Sequence, residues 1–358
     1  MRILLISNLY PSAGSPAFGT FVGTRVAALR GAGVEVALAA ITEPRVHRRR
    51  LVKYLWLAAA TAWTAARASR HGRVDVVEAH IAFPTGVLAY PAARALRAPL
   101  VLHAHGADVL GLPGHGLRRW AARELLRRAE LVVANSQFMA QQVAMLEPTA
   151  AAKTVVVSPG IDLPLFAGRS TAGQDRRHGI LFVGRLVPAK GPAVLLEALA
   201  ILRGRSGAVP SLLVVGDGPS RRWLERRARD LGLDVVFTGQ LAPAAVASAM
   251  RRALVVVVPS TGPESLGLVA VEAMAAGAVV VASAVGGLTE TVEDGRNGYL
   301  VRAGCPDALA AGLARALEVT GRPGEYARLR TAARATAIQH AADRVVRRSL
   351  GCYAQRWP

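Results

Sequence analysis

The chain has 358 residues, 52% of them hydrophobic, which is enough for two globular domains with cores of their own. Two cysteines, Cys305 and Cys352, are too few for a disulfide framework and suit a reducing compartment; no run reaches the ~18 apolar residues of a membrane span, and MRILLISNLYP has too short an apolar core for a signal peptide. The net charge of +20 is spread along the chain; it suits phosphate-bearing ligands, anionic membranes or nucleic acid, and an Arg- and Ala-rich coding bias accounts for it equally well.

In chain order, short β-like runs alternate with longer helical patterns. ILLIS is a first buried strand, and the loop Pro11 to Phe21 that follows it carries Gly14 and Gly19 and opens into the helix TFVGTRVAALRGAG. After VEVALAAI comes Arg45 to Arg73, with eight Lys/Arg and no acid, and with Val52, Trp56, Ala59, Trp63 and Ala66 on one helical stripe. A basic amphipathic helix with two tryptophans suits an anionic membrane and a lipid-linked acceptor; the alternative is an ordinary crossover helix with its tryptophans packed on the sheet. VDVVEAH ends at His80. PLVLHAH carries His103 in the strand and His105 at its end, with Asp108 placed to cap the next helix. LVVANS and TVVVSPG complete the first set.

Asp162 to Gly179 has Pro, Gly and mixed charge without an apolar period and reads as the linker. The expected division is a Rossmann-like domain over 1–165, a linker over 166–178, a second Rossmann-like domain over 179–340, and a C-terminal helix over 341–358 that crosses back to the first. ILFVGR, SLLVVGDG, VVFTG, LVVVVPS and VVVASA repeat the strand pattern in the second half. Continuous Val/Leu/Ile strands separated by helices imply parallel sheets covered on both faces. The fold class is therefore α/β, two doubly wound Rossmann-like domains facing across a cleft, with ligands at the carboxyl ends of the strands.

Several strand ends of the second half carry chemistry. In Gly184-Arg-Leu-Val-Pro-Ala-Lys190-Gly191 the glycines permit tight turns, while Arg185 and Lys190 place two cations where a strand meets a helix N-terminus, an arrangement that makes sense around a diphosphate. Gly216-Asp-Gly-Pro219, Gly239 and the pair Gly286-Gly287 end further strands and allow close backbone approach, although each also serves as an ordinary turn. Glu264-Ser-Leu-Gly-Leu-Val-Ala-Val-Glu272 follows LVVVVPS, and a helix is expected from about Ser265 to Ala275. Eight steps of a helix bring Glu272 to within about 80° of the direction of Glu264 and ~12 Å further along the axis. Unpaired first-turn amides between the two acids make an anion site, so a ligand with hydroxyls at both ends and phosphates in the middle fits.

The ordered set GRLVPAKG, GDGP, the Glu264 to Glu272 stretch, AAGAVVVASAVGG and EDGRNGYLV resembles the second domain of retaining family 4 glycosyltransferases of the GT-B fold. The resemblance extends to NLYPSAGSPAFGTF, HAHGADV and VVVSPGID in the first half, where the family's Gly-Gly pair stands as Phe18-Gly19. It implies that Arg185 and Lys190 neutralise the nucleotide diphosphate and that Glu272 holds the ribose hydroxyls. Glu264 would hold the transferred sugar, with Ser265, Leu266, Gly267, Leu268 and Val269 lining sugar and phosphate. Gly216 would also lie at the donor, with Gly239 and Leu241 near the base. Gly19 and Thr20 would receive the acceptor. His105 would sit beside the donor sugar, making His105 and Glu264 the candidate catalytic residues.

The implied reaction is transfer of a sugar from a nucleotide-diphosphate sugar to a hydroxyl acceptor with retention of configuration, in bacterial exopolysaccharide or cell-envelope glycan synthesis. No Asp-x-Asp pair stands where a metal would be needed, so no metal and no cofactor beyond the donor are expected. A cytoplasmic protein is the default, with a peripheral position on the inner face of the plasma membrane through Arg45 to Arg73. Glycosylation of a small secondary metabolite is the alternative within the class. Outside it stand a GT-B-shaped phosphorylase or epimerase, a non-catalytic sugar-nucleotide-binding module and a nucleic-acid-binding protein. The last lacks a recognition module and stacking aromatics among its basic residues.

Overall fold

Strands that are apolar on both faces must be covered on both faces, and the computed structural model shows two sheets built that way. It describes residues 1–43, 50–112, 114–168 and 179–357. The chain forms two compact units, Met1–Gly160 with Ala342–Pro358, and Ile161–Ala341.

In the first unit β1 (Arg2–Ser7), α1 (Thr20–Gly31), β2 (Glu35–Ala40), α2 (Arg50–Arg70), β3 (Val76–His80), α3 (Ala82–Leu96), β4 (Leu100–Ala104), α4 (Leu117–Arg128), β5 (Leu131–Ala134), α5 (Gln137–Leu146) and β6 (Thr154–Val156) follow in turn. The parallel sheet runs β2-β1-β3-β4-β5-β6, so the strand order reverses between β1 and β3. In the second unit α6 (Leu163–Ala167) leads into β7 (Ile180–Val183), α7 (Pro192–Ser206), β8 (Leu212–Val215), α8 (Arg221–Asp230), β9 (Val235–Gly239), α9 (Pro243–Arg252) and β10 (Val255–Val258). There follow α10 (Leu268–Ala276), β11 (Val279–Ser283), α11 (Leu288–Thr291), β12 (Tyr299–Val301), α12 (Pro306–Thr320) and α13 (Pro323–Gln339), and α14 (Ala342–Arg356) returns to the first unit. The second parallel sheet runs β12-β11-β10-β7-β8-β9, with its reversal between β7 and β10. Ligands of doubly wound sheets bind outside the carboxyl ends of the strands at such reversals.

Three local expectations are corrected. Asp162 to Gly168 is not featureless: the Asp162 carboxylate caps α6 by accepting from the Leu165 amide at 3.1 Å, and α6 packs within the second unit, which therefore begins at Ile161 rather than beyond 165. Residues 169–178 of the expected linker lie outside the described residues. A sixth strand, β12, joins the second sheet; its three residues inside EDGRNGYLV are too few to show a period.

The third correction concerns α2. Residues 44–49 of the basic segment lie outside the described residues. Along α2 the buried face is Lys53, Leu57, Thr61, Thr64, Ala65 and Ala68, whereas Val52, Trp56, Ala59, Trp63 and Ala66 are all exposed. The tryptophans do not pack on the sheet: Trp56 and Trp63 are 51% and 64% exposed, and Arg67 lies over the Trp63 ring. Alanine and threonine, small enough for close approach, supply much of the sheet-facing side instead. No described helix is long and apolar enough to cross a membrane, and both cysteines are free.

Candidate functional site

The reversal of the second sheet brings together the loops after β7 and β10. Gly191 adopts φ 67° as the cap of α7, and a Cβ there would fall 1.8 Å from the Pro259 carbonyl oxygen. The amides of Thr261 and Gly262 donate to the Ala189 carbonyl at 3.0 and 3.2 Å, so the turn carrying Lys190 and the loop leading to Glu264 are fixed to one another. On the other side Gly286 and Gly287 admit the Glu264–Ser265 backbone, with the Gly287 amide donating to the Glu264 carbonyl at 2.8 Å. Gly184 and Gly216 make a similar close contact between the ends of β7 and β8, and Gly216 donates through its amide to the Gly239 carbonyl at 2.8 Å.

α10 begins at Leu268, not at Ser265. Gly267, at φ 85°, breaks the helical path, so Glu264 lies in the preceding loop and the expected two-turn helical spacing of Glu264 and Glu272 does not hold. Glu264 Oε1 accepts from Lys190 Nζ at 2.5 Å and from Ser260 Oγ at 2.5 Å. Lys190 is therefore paired with Glu264, whereas Arg185 is exposed and makes no ion pair among the described residues. The N-terminus of α10 has neither a side-chain cap nor an acid in its first turn, so its amides present a positive end that no side chain caps, following the loop that carries Glu264. Glu272, one turn inside α10, is partly buried and has no hydrogen-bond or ion-pair partner among the described residues; burial pushes its carboxyl up to about 8. Leu241 is partly buried beyond β9.

In the first unit, Gly19 caps α1 at φ 71°, where a Cβ would fall 2.8 Å from the Leu9 carbonyl carbon. Thr20 opens that helix, and Phe21 packs its ring 4.6 Å from that of His105. The loop after β4 is built on Asp108, whose carboxylate accepts from the amides of His105, Gly106 and Ala82 at 3.0, 2.8 and 2.7 Å. Asp108 thus joins the ends of β3 and β4, and burial, only partly offset by these donors, raises its carboxyl to about 6. His105 Nε2 lies 3.1 Å from His80 Nδ1, and His80 Nε2 lies 3.3 Å from Glu78 Oε2. His103 stacks on His80 at 4.2 Å.

Arg185, Lys190, Gly216, Gly239, Leu241, Glu264 to Val269 and Glu272 thus lie in the second unit at or near the carboxyl edge of its sheet, and Gly19, Thr20 and His105 lie at that edge of the first. Sequence reasoning missed Ser260 and the polar cluster of Arg25, Glu78 and Tyr353. A carboxylate centred in the apolar run VDVVEAH was a readable signal, because a buried acid requires partners. Among the described residues, His80, His103 and His105 form a group with metal-ligating atoms within 4.8 Å of one another. Their near-parallel rings, at 11° to 21°, and the short His80–His105 contact suit a hydrogen-bonded chain better than nitrogens converging on one ion.

Comparison with known proteins bears on the family and the fold. A family profile described as Glycosyltransferase Family 4 matches residues 19–164, and one described as Glycosyl transferases group 1 matches residues 169–336. The chain is 35% identical over 331 residues to the D-inositol 3-phosphate glycosyltransferase of Actinosynnema mirum, covering 84% of this chain and 77% of that protein. With the Gordonia bronchialis protein of the same name it shares 34% identity over 256 residues, 67% of this chain and 55% of that protein. The chain spans about half the length of several such relatives, from 47% for a Nocardioides protein to 57% for that of Acidothermus cellulolyticus. Among solved structures, Anabaena Alr3699/HepE in complex with UDP and glucose has a TM-score of 0.78 at 25% identity, covering 99% of this chain and 100% of that one. A glycosyltransferase from Rickettsia africae gives 0.79 at 21% identity, covering 99% and 98%, a likeness of fold alone. The two sheets, the strand-end motifs and these relatives establish that the chain belongs to family 4 of the glycosyltransferases.

Proposed function

We propose that the chain transfers a sugar from a nucleotide-diphosphate sugar to a hydroxyl acceptor, with retention of configuration and without a metal. The observation that carries this reading is the uncapped N-terminus of α10 at the reversal of the second sheet, next to the Lys190–Glu264 pair, with Glu272, unpartnered among the described residues, one turn inside the helix and Arg185 exposed at the end of β7. A departing diphosphate needs charge stabilisation that is in place before it leaves; in this reading the helix N-terminus and Arg185 provide it, together with Lys190, whose charge is shared with Glu264. Glu272 then accepts from the ribose hydroxyls and Glu264 binds the transferred sugar, while His105 is the first unit's candidate for a substrate hydroxyl. Gly216, Gly239 and Leu241 border the base and phosphates in this reading, and Gly19 and Thr20 receive the acceptor. UDP-sugars are the first donors to test, because Alr3699/HepE was solved with UDP and with UDP-glucose.

Retention follows here from departure of the diphosphate on the face where the acceptor arrives, its leaving oxygen taking the acceptor proton. Glu264 already accepts from Lys190 and Ser260, which suits a group that binds hydroxyls more than a nucleophile. A glycosyl ester trapped on Glu264 would exclude this mechanism. Incubation with UDP-glucose and UDP-GlcNAc, with and without EDTA, followed by NMR assignment of the product anomer, tests donor class, metal independence and stereochemistry together.

Two acceptor classes have support of their own. The relatives named for D-inositol 3-phosphate favour a phosphorylated polyol. The exposed Trp56 and Trp63 on a basic helix favour a lipid-linked glycan at an anionic membrane, in envelope or exopolysaccharide synthesis. Product formation with inositol 3-phosphate decides for the first; flotation with phosphatidylglycerol vesicles, lost in Trp56→Ser/Trp63→Ser, decides for the second.

A further inference from the structure

The donor chemistry leaves one buried polar cluster unused. Glu78 and His80 are two residues apart on β3 and so point to one face of the sheet. Glu78 is fully buried and accepts from Arg25 Nε at 3.0 Å, from an Arg25 terminal nitrogen at 2.8 Å and from the Tyr353 hydroxyl at 2.8 Å. Tyr353 and Ser349, which accepts from Arg25 at 3.2 Å, both come from α14. Burial opposes ionisation of Glu78, but Arg25 outweighs it and holds the carboxyl well below its ordinary value. Burial, followed by the neighbouring histidine, lowers His80 to about 3, and burial places His105 well below the usual imidazole range. Both imidazoles are therefore neutral near pH 7.

Three neutral-or-anionic groups in a row leave one arrangement of protons. An ionised carboxylate only accepts, so His80 Nε2, 3.3 Å from Glu78 Oε2, carries the hydrogen. A neutral imidazole has one N–H, so His80 Nδ1 is an acceptor, and His105 Nε2 at 3.1 Å must be the donor. His105 Nδ1 is then a bare lone pair. We propose that Glu78 and His80 are positioning residues that hold His105 as its Nε2–H tautomer and so reserve Nδ1 to accept a hydrogen bond from a substrate hydroxyl. The tautomer stands on the geometry of the first unit alone; the hydroxyl rests on the function proposed above. Reversing the chain would present an N–H to a hydroxyl that must then turn its own hydrogen away. A buried acid that sets an imidazole tautomer is a known catalytic device, and its amide replacement produces the wrong tautomer.

Long-range ¹H–¹⁵N NMR of the full chain, labelled at histidine, tests the proposal without any ligand. The expected spectrum at pH 7 shows His80 and His105 each protonated at Nε2 only, with a coupling across the hydrogen bond between His80 Nδ1 and His105 Nε2. A proton on His105 Nδ1, or an imidazolium at either position, would overturn the assignment. Glu78→Gln offers His80 an amide N–H and should reverse both tautomers. It should also weaken binding of UDP-glucose about tenfold relative to UDP, the effect of one mismatched hydrogen bond. Reversed tautomers with an unchanged UDP-glucose to UDP ratio would refute the role at the substrate. Should Glu78→Gln fail to fold, the wild-type spectrum still decides, and Tyr353→Phe, which keeps the charge of Glu78, should leave both tautomers in place; a reversed His105 there counts against the chain. If the wild type binds neither nucleotide, it is the proposed donor class that fails, while the spectrum still reads the tautomer.

Discussion

A partly buried carboxylate with no donor facing it is rare in a structural role, because burial without a partner disfavours the charged form. Among the described residues Glu272 is such a group, and its carboxyl stands at about 8 against an ordinary 4.5. The sign for stability follows: between those values the folded chain holds a proton that the unfolded chain has lost, so Glu272 lowers stability progressively as pH rises from about 4.5 to about 8. Glu272→Gln should therefore gain in melting temperature over the wild type as pH rises across that window, and a difference that does not vary with pH would count against the shift. Ribose hydroxyls donate best to the ionised carboxylate, so UDP affinity should rise with pH up to about 8 and lose that dependence in Glu272→Gln, as calorimetric titration would show. Both acids of the motif could be picked out of the sequence, but the partner of Glu264 could not. The 2.5 Å contact with Lys190 joins residues 74 apart and depends on how the loops after β7 and β10 interlock.

Those loops are where element-scale reasoning succeeded and failed. Uninterrupted apolar runs revealed eleven of the strands because a parallel sheet covered on both faces leaves no polar alternation to obscure them. The start of α10 was not readable: Glu264 to Leu266 look helix-compatible, and the helix is delayed by Gly267, whose left-handed backbone favours glycine and where a Cβ would lie 2.3 Å from Leu288 Cδ2. Nor did periodicity show which face of α2 is buried, since small residues and Lys53, rather than the tryptophan stripe, lie against the sheet. The glycines, read as a permissive rim, turn out to be contacts. Gly191→Ala should cost about 2 kcal/mol or more, from the left-handed backbone and from overlap with the Pro259 carbonyl. It should also loosen the Lys190–Glu264 pair and weaken UDP binding. Gly207→Ala is the matched control: its φ of 75° is similar but nothing lies within 4 Å of the new methyl, so about 1 kcal/mol and unchanged UDP affinity are expected. Equal losses in chemical denaturation would show that backbone strain alone explains Gly191.

At the scale of the molecule, the last seventeen residues belong to the first unit although they follow the second in sequence. The sequence suggests such a return helix, but not what it does there. α14 buries Val345, Val346 and Tyr353 against the core that contains Ile3, Leu5, Val22 and Val26, and Tyr353 and Ser349 complete the partners of the buried Arg25–Glu78 pair. Removing 342–358 would withdraw three buried side chains worth about 1.5–3 kcal/mol each and leave a buried ion pair short of two hydrogen-bonding groups, a loss comparable with the stability of a whole domain. The truncated chain is expected to lose the protected histidine signals of the first unit and to be cleaved by protease within 1–160. The second unit, which holds Arg185, Lys190, Glu264 and Glu272, should remain resistant and still be stabilised by UDP. Tyr353→Phe, a milder change, should cost about 1–2 kcal/mol and leave both units folded. Mass spectrometry of the proteolytic fragments with and without UDP distinguishes the outcomes: loss of both units together would mean that α14 supports the second as well, whereas an intact first unit would mean that Arg25 and Glu78 satisfy one another unaided.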